Sequence, residues 1–100
     1  MTPSPQKKPS KQQFLMRIED VSVIRGRGTV VTGPIEQGTV TVGDAVEIVG
    51  AGAKPITSVV TGVIVSRKII ERGHVGDTVG VLLRGVDSSK VTPGQVLRAT

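Results

Sequence analysis

Cysteine is absent from the 100 residues, which excludes disulfides and thiolate metal sites. Tryptophan and tyrosine are absent as well, and the only aromatic residue is Phe14. A core must then be aliphatic. A nucleic-acid surface made of stacked rings would have one platform at most, where single-strand binders use several. One histidine, His74, leaves little for acid–base chemistry; it sits in a glycine-rich stretch with no partner pattern around it. No apolar run approaches the roughly 20 residues that span a bilayer as a helix. The basic N-terminus is not followed by the apolar core of a signal peptide. These absences point to a soluble, cytoplasmic protein with no membrane partner.

What remains is mostly Val, Ile, Leu and Ala, within 37% hydrophobic residues, and 13 glycines. β-Branched residues favour strands, and frequent glycines mark turns. The net charge is +5. Lys7, Lys8 and Lys11 supply three of those charges, so the chain beyond residue 13 is close to neutral. Residues 1–13, "MTPSPQKKPSKQQ", offer no apolar surface after Met1 to offset the entropy of ordering. They are expected to be a disordered basic tail, with one domain over 14–100.

From Phe14 onward the chain reads as short strands between turns. "FLMRIEDVSVI" (14–24) is a first strand, interrupted near Glu19-Asp20. "RGRG" is a turn and "TVVTGPIE" (29–36) a second strand, in which Pro34 fits only an edge or a bend. "QGTVTVGD" carries two turn signals, and "AVEIVG" (45–50) alternates cleanly. "AGAKP" reads as a loop. "ITSVVTGVIVSRKII" (56–70) is long for one strand and is expected to bend at Gly62. "ERGHVGDT" reads as a loop, "VGVLLRGV" as a strand, "DSSKVTPG" as a loop with one helical turn available at Ser88–Lys90, and "QVLRAT" as a last strand. Six or seven short strands predict an all-β fold, a small closed antiparallel barrel, because closure removes exposed edges.

Catalytic motifs fail on their own chemistry. A phosphate-binding P-loop needs G-x-x-x-x-G-K-[ST] between a strand and a helix. Gly26-Arg27-Gly28 has no following lysine, and a strand follows it. "GAGAKP" (50–55) is too short and has Pro55 where a hydroxyl is required. Glu19-Asp20 is the only adjacent acidic pair, and neighbours on a strand face opposite ways. The reading is therefore a non-enzyme with no catalytic residues, no cofactor and no metal. Arg25, Arg27, Arg67, Arg72 and Arg84 remain as possible phosphate contacts; each is equally readable as a surface charge.

The ordered series "FLMRIEDVSVIRGRGTVVTGPIEQGTVTVGDAVEIVG", "TGVIVSRKIIERGHVGDTVGVLLRGV" and "PGQVL" resembles the second, β-barrel domain of bacterial elongation factor Tu and related translational GTPases. The likeness runs from Phe14 to about Leu97. It implies a translation-factor barrel in which Gly26-Arg27-Gly28 is a turn. In the full factor this barrel helps hold the 3′ end of aminoacyl-tRNA. The resemblance carries that RNA-binding role onto Glu19, Asp20, Arg27, Thr32, Arg67 and Val79. Three pocket positions depart from the family. Ser22 stands where an aromatic is typical, Ile64 replaces an acidic residue beside the terminal adenine, and Thr78 replaces an asparagine near the aminoacyl group.

The implied function is a translation-factor-like module binding RNA, the tRNA 3′ end, or a ribosome-associated translation component. The alternative is a protein-interaction module that kept the barrel and lost the tRNA pocket. The family factor also has a GTP-binding domain and a further barrel. These do not fit in 100 residues, so the chain reads as a free-standing relative or as a fragment of a GTP-dependent elongation factor.

Overall fold

Alternating Val and Ile at the strand positions bury one face of each strand, and the strands roll into a ring around that face. The computed structural model describes residues 13–100; the expectation of a disordered tail falls almost wholly on residues 1–12, outside the described residues. Ten strands follow in chain order: β1 (Leu15–Arg17), β2 (Asp20–Ile24), β3 (Gly28–Gln37), β4 (Thr39–Thr41), β5 (Ala45–Gly50), β6 (Ala53–Val65), β7 (Lys68–Ile70), β8 (Arg72–His74), β9 (Thr78–Leu83) and β10 (Val96–Ala99). A 3-10 turn occupies Ser88–Lys90.

Six of these strands close a barrel in the order β1-β10-β5-β6-β9-β3 and back to β1, with every pairing antiparallel. β2 extends the wall beyond β3, and β7 extends it beyond β6. β4 and β8 form a separate two-stranded ribbon. Inside lie Met16, Val31, Val46, Ile48, Val81 and Leu97, all fully enclosed. Each buried aliphatic side chain contributes about 1.5–3 kcal/mol relative to exposure, so a core with a single ring can still hold the fold. Phe14 is buried in this cluster, and its carbonyl accepts from the Ala99 N–H at 3.0 Å, as in a strand pair.

β3 serves two walls. Its first half lies between β2 and β9; its end pairs with β1. The change of partner from β2 to β1 falls across Gly33-Pro34, between Thr32 and Ile35. A Cβ on Gly33 would lie 1.8 Å from the Arg17 carbonyl oxygen, so only glycine lets β1 cross there. That crossing carries the chain through Ile18 and Glu19 onto β2, and the Glu19 N–H bonds the Thr32 carbonyl at 2.8 Å.

Three segments differ from the sequence reading. "AGAKP" is not a loop: only Ala51-Gly52 turn, both at positive φ (58° and 72°), and β6 already runs through Pro55. Pro55 sits where the β5–β6 register shifts, a place where a missing N–H is tolerated. Residues 56–70 hold a strand and the start of a hairpin, because Ser66-Arg67 reverse the chain. β6 does shift register between Val60 and Gly62, the site of the expected bend. Finally, Arg72–His74 is a strand rather than part of a loop. It pairs with β4 and lays Gly73 against Ile35, Val63 and Val79, so the ribbon seals one end of the barrel.

Candidate functional site

The pairings across the extended wall align one residue from each of five strands. Asp20 faces Thr32, Thr32 faces Gly80, Gly80 faces Ile64, and Ile64 faces Ile69. Directly opposed residues project to the same side of a sheet. At a strand spacing near 4.8 Å, this row spans about 19 Å. The neighbouring rank is Ser22, Val30, Leu82 and Gly62. On the other side of the row, Pro34 faces Thr78.

The side is the outer one. Val31, Val63, Val79 and Val81 alternate with these residues and point into the core. Val30 (4% exposed) and Leu82 (2%) are buried yet stand outside the core cluster. They form a second, smaller apolar floor on the outside of the barrel. Gly62 and Gly80 carry no side chain there, and the neighbouring side chains close over them. A Cβ on Gly80 would come within 3.0–3.5 Å of Val30, Ile64 and Thr32, and one on Gly62 within 3.4–3.6 Å of Ile69 and Leu82. The result is an outer face with an apolar base, hereafter the trough. Asp20, Ser22, Thr32 and Thr78 edge it with a carboxylate and hydroxyls. Ile64 is half-buried and Ile69 is 51% exposed.

Beyond Ile64 the wall ends in the Ser66-Arg67 turn. Both residues have positive φ (52° and 69°), as a two-residue hairpin turn of this twist requires. Neither is the glycine or asparagine that adopts this conformation readily. Arg67 is exposed, borders the trough, and is in no ion pair among the described residues.

The residues singled out from the sequence therefore divide. Asp20, Ser22, Thr32, Ile64 and Thr78 share the outer face, with Arg67 at its border. Glu19 lies beside Asp20, but its carboxylate takes Arg17 Nη2 at 3.3 Å, while Arg17 Nη1 holds Glu36 at 2.9 Å. These exposed pairs are worth about 0–1 kcal/mol. Arg27 stands apart: it belongs to the β2–β3 turn, where its N–H bonds the Ile24 carbonyl at 2.9 Å and Gly26 supplies a φ of 81°. It is five residues along β3 from Thr32, about 16 Å. Gly26-Arg27-Gly28 is thus a hairpin turn. Val79 is 1% exposed, and its side chain packs in the core, on the inner side of the wall.

Sequence reading missed Val30, Leu82, Gly62, Gly80 and Ile69. The available signal was glycine in strand interiors, which marks close approach of a ligand or another chain. For catalysis the face offers one carboxylate and no nucleophile–base pair. Among the described residues no three His, Asp or Glu side chains come together to hold a metal ion. A family model described as elongation factor Tu domain 2 matches residues 28–98. Thr32, Ile64, Arg67, Thr78 and Val79 lie within that match; Glu19, Asp20, Ser22 and Arg27 precede it.

Proposed function

We propose, for a chain that belongs to the elongation factor Tu domain 2 family, that the outer trough binds the single-stranded 3′ end of a tRNA. The family makes this a translation-factor-like module, and the domain itself is a non-catalytic β-barrel. The observation that carries the reading is the row Asp20, Thr32, Gly80, Ile64, with Arg67 at its end. A flat base can lie against the apolar outer face at Ile64 and Ile69. Thr32, Thr78 and Ser22 offer hydroxyls to ribose or base edges, and Arg67 offers a charge to phosphate.

The composition of the trough sets the strength. Ser22 and Ile64 provide neither a ring to stack on nor a carboxylate to accept from a base. A missing stack costs about 1–3 kcal/mol, or roughly 5- to 150-fold in affinity. Phosphate contacts remain, and these weaken with salt without reading sequence. Binding is therefore weak, salt-sensitive and nearly indifferent to aminoacylation.

Titration with charged and uncharged tRNA at two salt concentrations tests this. The expected result is similar weak binding of both forms, lost at high salt. Tight binding that favours the charged form would show that the pocket substitutions are compensated. No binding at low salt would favour the second reading, a protein-interaction module, for which the exposed Ile69 beside Ile64 speaks.

A further inference from the structure

We propose that β2 is a self-association strand: two copies of this chain pair antiparallel along their β2 edges, about a two-fold axis at Ser22. Among the described residues β2 has β3 on one side and no strand on the other. The Ile24 carbonyl takes the turn bond from the Arg27 N–H, so Ile24 directs its backbone groups toward β3. Backbone groups alternate sides along an antiparallel strand. Those of Val21 and Val23 therefore point out of the free edge. Exposed edges are usually blunted by lysine, proline or a bulge within the strand. "DVSVI" has neither lysine nor proline, and Val23 is 60% exposed.

Charge selects a second copy as the occupant. Glu19 and Asp20 lie at the start of β2, and Arg25 and Arg27 follow its end. Asp20 is in no ion pair or side-chain hydrogen bond among the described residues, and neither are Arg25 and Arg27. Setting Ser22 against the partner's Ser22 places Val21 against the partner's Val23, the pairing that the outward backbone groups require. The same register sets Asp20 against the partner's Ile24, beside the partner's Arg25. Symmetry repeats each contact. A parallel alignment would instead bring like charges together. A five-residue strand covers less than a standard interface, so the dimer is weak and concentration-dependent.

The absence of cysteine makes the test clean. In the full chain, Ser22→Cys introduces a single thiol on the two-fold axis, where the Cα atoms of this non-hydrogen-bonded pair lie about 4.5 Å apart, within disulfide reach. Thr57→Cys, on an exposed strand position away from β2, is the control. Under mild oxidation Ser22→Cys should cross-link well ahead of Thr57→Cys. In sedimentation, Asp20→Lys should weaken the dimer about tenfold, since the like-charge contact occurs twice. Asp20→Lys combined with Arg25→Glu should restore it. Circular dichroism of each variant checks that the barrel persists. A monomer at every concentration up to millimolar would overturn the proposal. So would a dimer that ignores the charge reversal, or equal cross-linking of the two cysteine variants. None of these readouts involves RNA, so they stand apart from the fate of the trough.

Discussion

In the proposed binding of RNA, Arg67 serves the site at the expense of stability. Its φ of 69° lies in the left-handed region, which costs a non-glycine residue about 1–2 kcal/mol. Glycine would relieve that cost and return about 0.5–1 kcal/mol through the greater entropy of its unfolded chain. Arg67→Gly should therefore stabilise the barrel by about 0.5–1 kcal/mol, read from denaturant unfolding. It should also weaken tRNA binding and lower the salt slope by about 1, since one phosphate contact goes. Unchanged RNA affinity would remove Arg67 from the site. Some of this scale was legible in the sequence. Asp20 and Ser22 share a face by the period of two, and Gly26-Arg27-Gly28 read as a turn because no lysine or helix follows. The facing of Val79 was not legible, because "TVGVLL" has apolar residues on both faces. Val79, Val81 and Leu83 go inward, while Leu82 makes the floor of the trough.

Among the elements, the 3-10 turn is the clearest case of local chemistry fixing structure. Asp87 caps it, accepting from the Ser89 N–H at 2.9 Å and the Ser89 hydroxyl at 2.8 Å. The turn follows Val86, whose carbonyl holds the buried Thr29 hydroxyl at 2.6 Å, so the cap steadies the segment closing over β3. The side-chain bond from Ser89, then its backbone bond, hold the Asp87 carboxyl below its ordinary value of 3.8. A depressed carboxyl stabilises the fold above the unfolded value, and the effect fades as pH falls through the lower folded one. Asp87→Ala should lower the melting temperature modestly at neutral pH, and the gap from the parent should shrink below about pH 3.8. A gap constant down to pH 2 or so would mean that the charge plays no part. The turn was visible in "DSSK", where Asp precedes two serines. β8 was not, because its Gly73 looks like a loop residue until the ribbon is seen to press it against Val63 and Val79. Nor was the reversal at Ser66-Arg67, which lacks the usual turn residues.

At the scale of the molecule, the trough exists only because β2, β3, β9, β6 and β7 lie side by side. Asp20 and Ile64 are 44 positions apart in the sequence and meet on one row through two intervening strands. The sheet class and barrel closure could be read from alternation and turn spacing. This row could not, since strand order is a property of the folded whole. That row is where RNA is proposed to be held. A backbone-amide NMR titration of the full chain with a short single-stranded RNA ending in a 3′ adenosine tests it most directly. The largest shifts should fall on Asp20, Thr32, Gly80, Ile64 and Arg67. Shifts confined to the Arg25–Arg27 turn and Arg84, or no shifts at low salt, would contradict it.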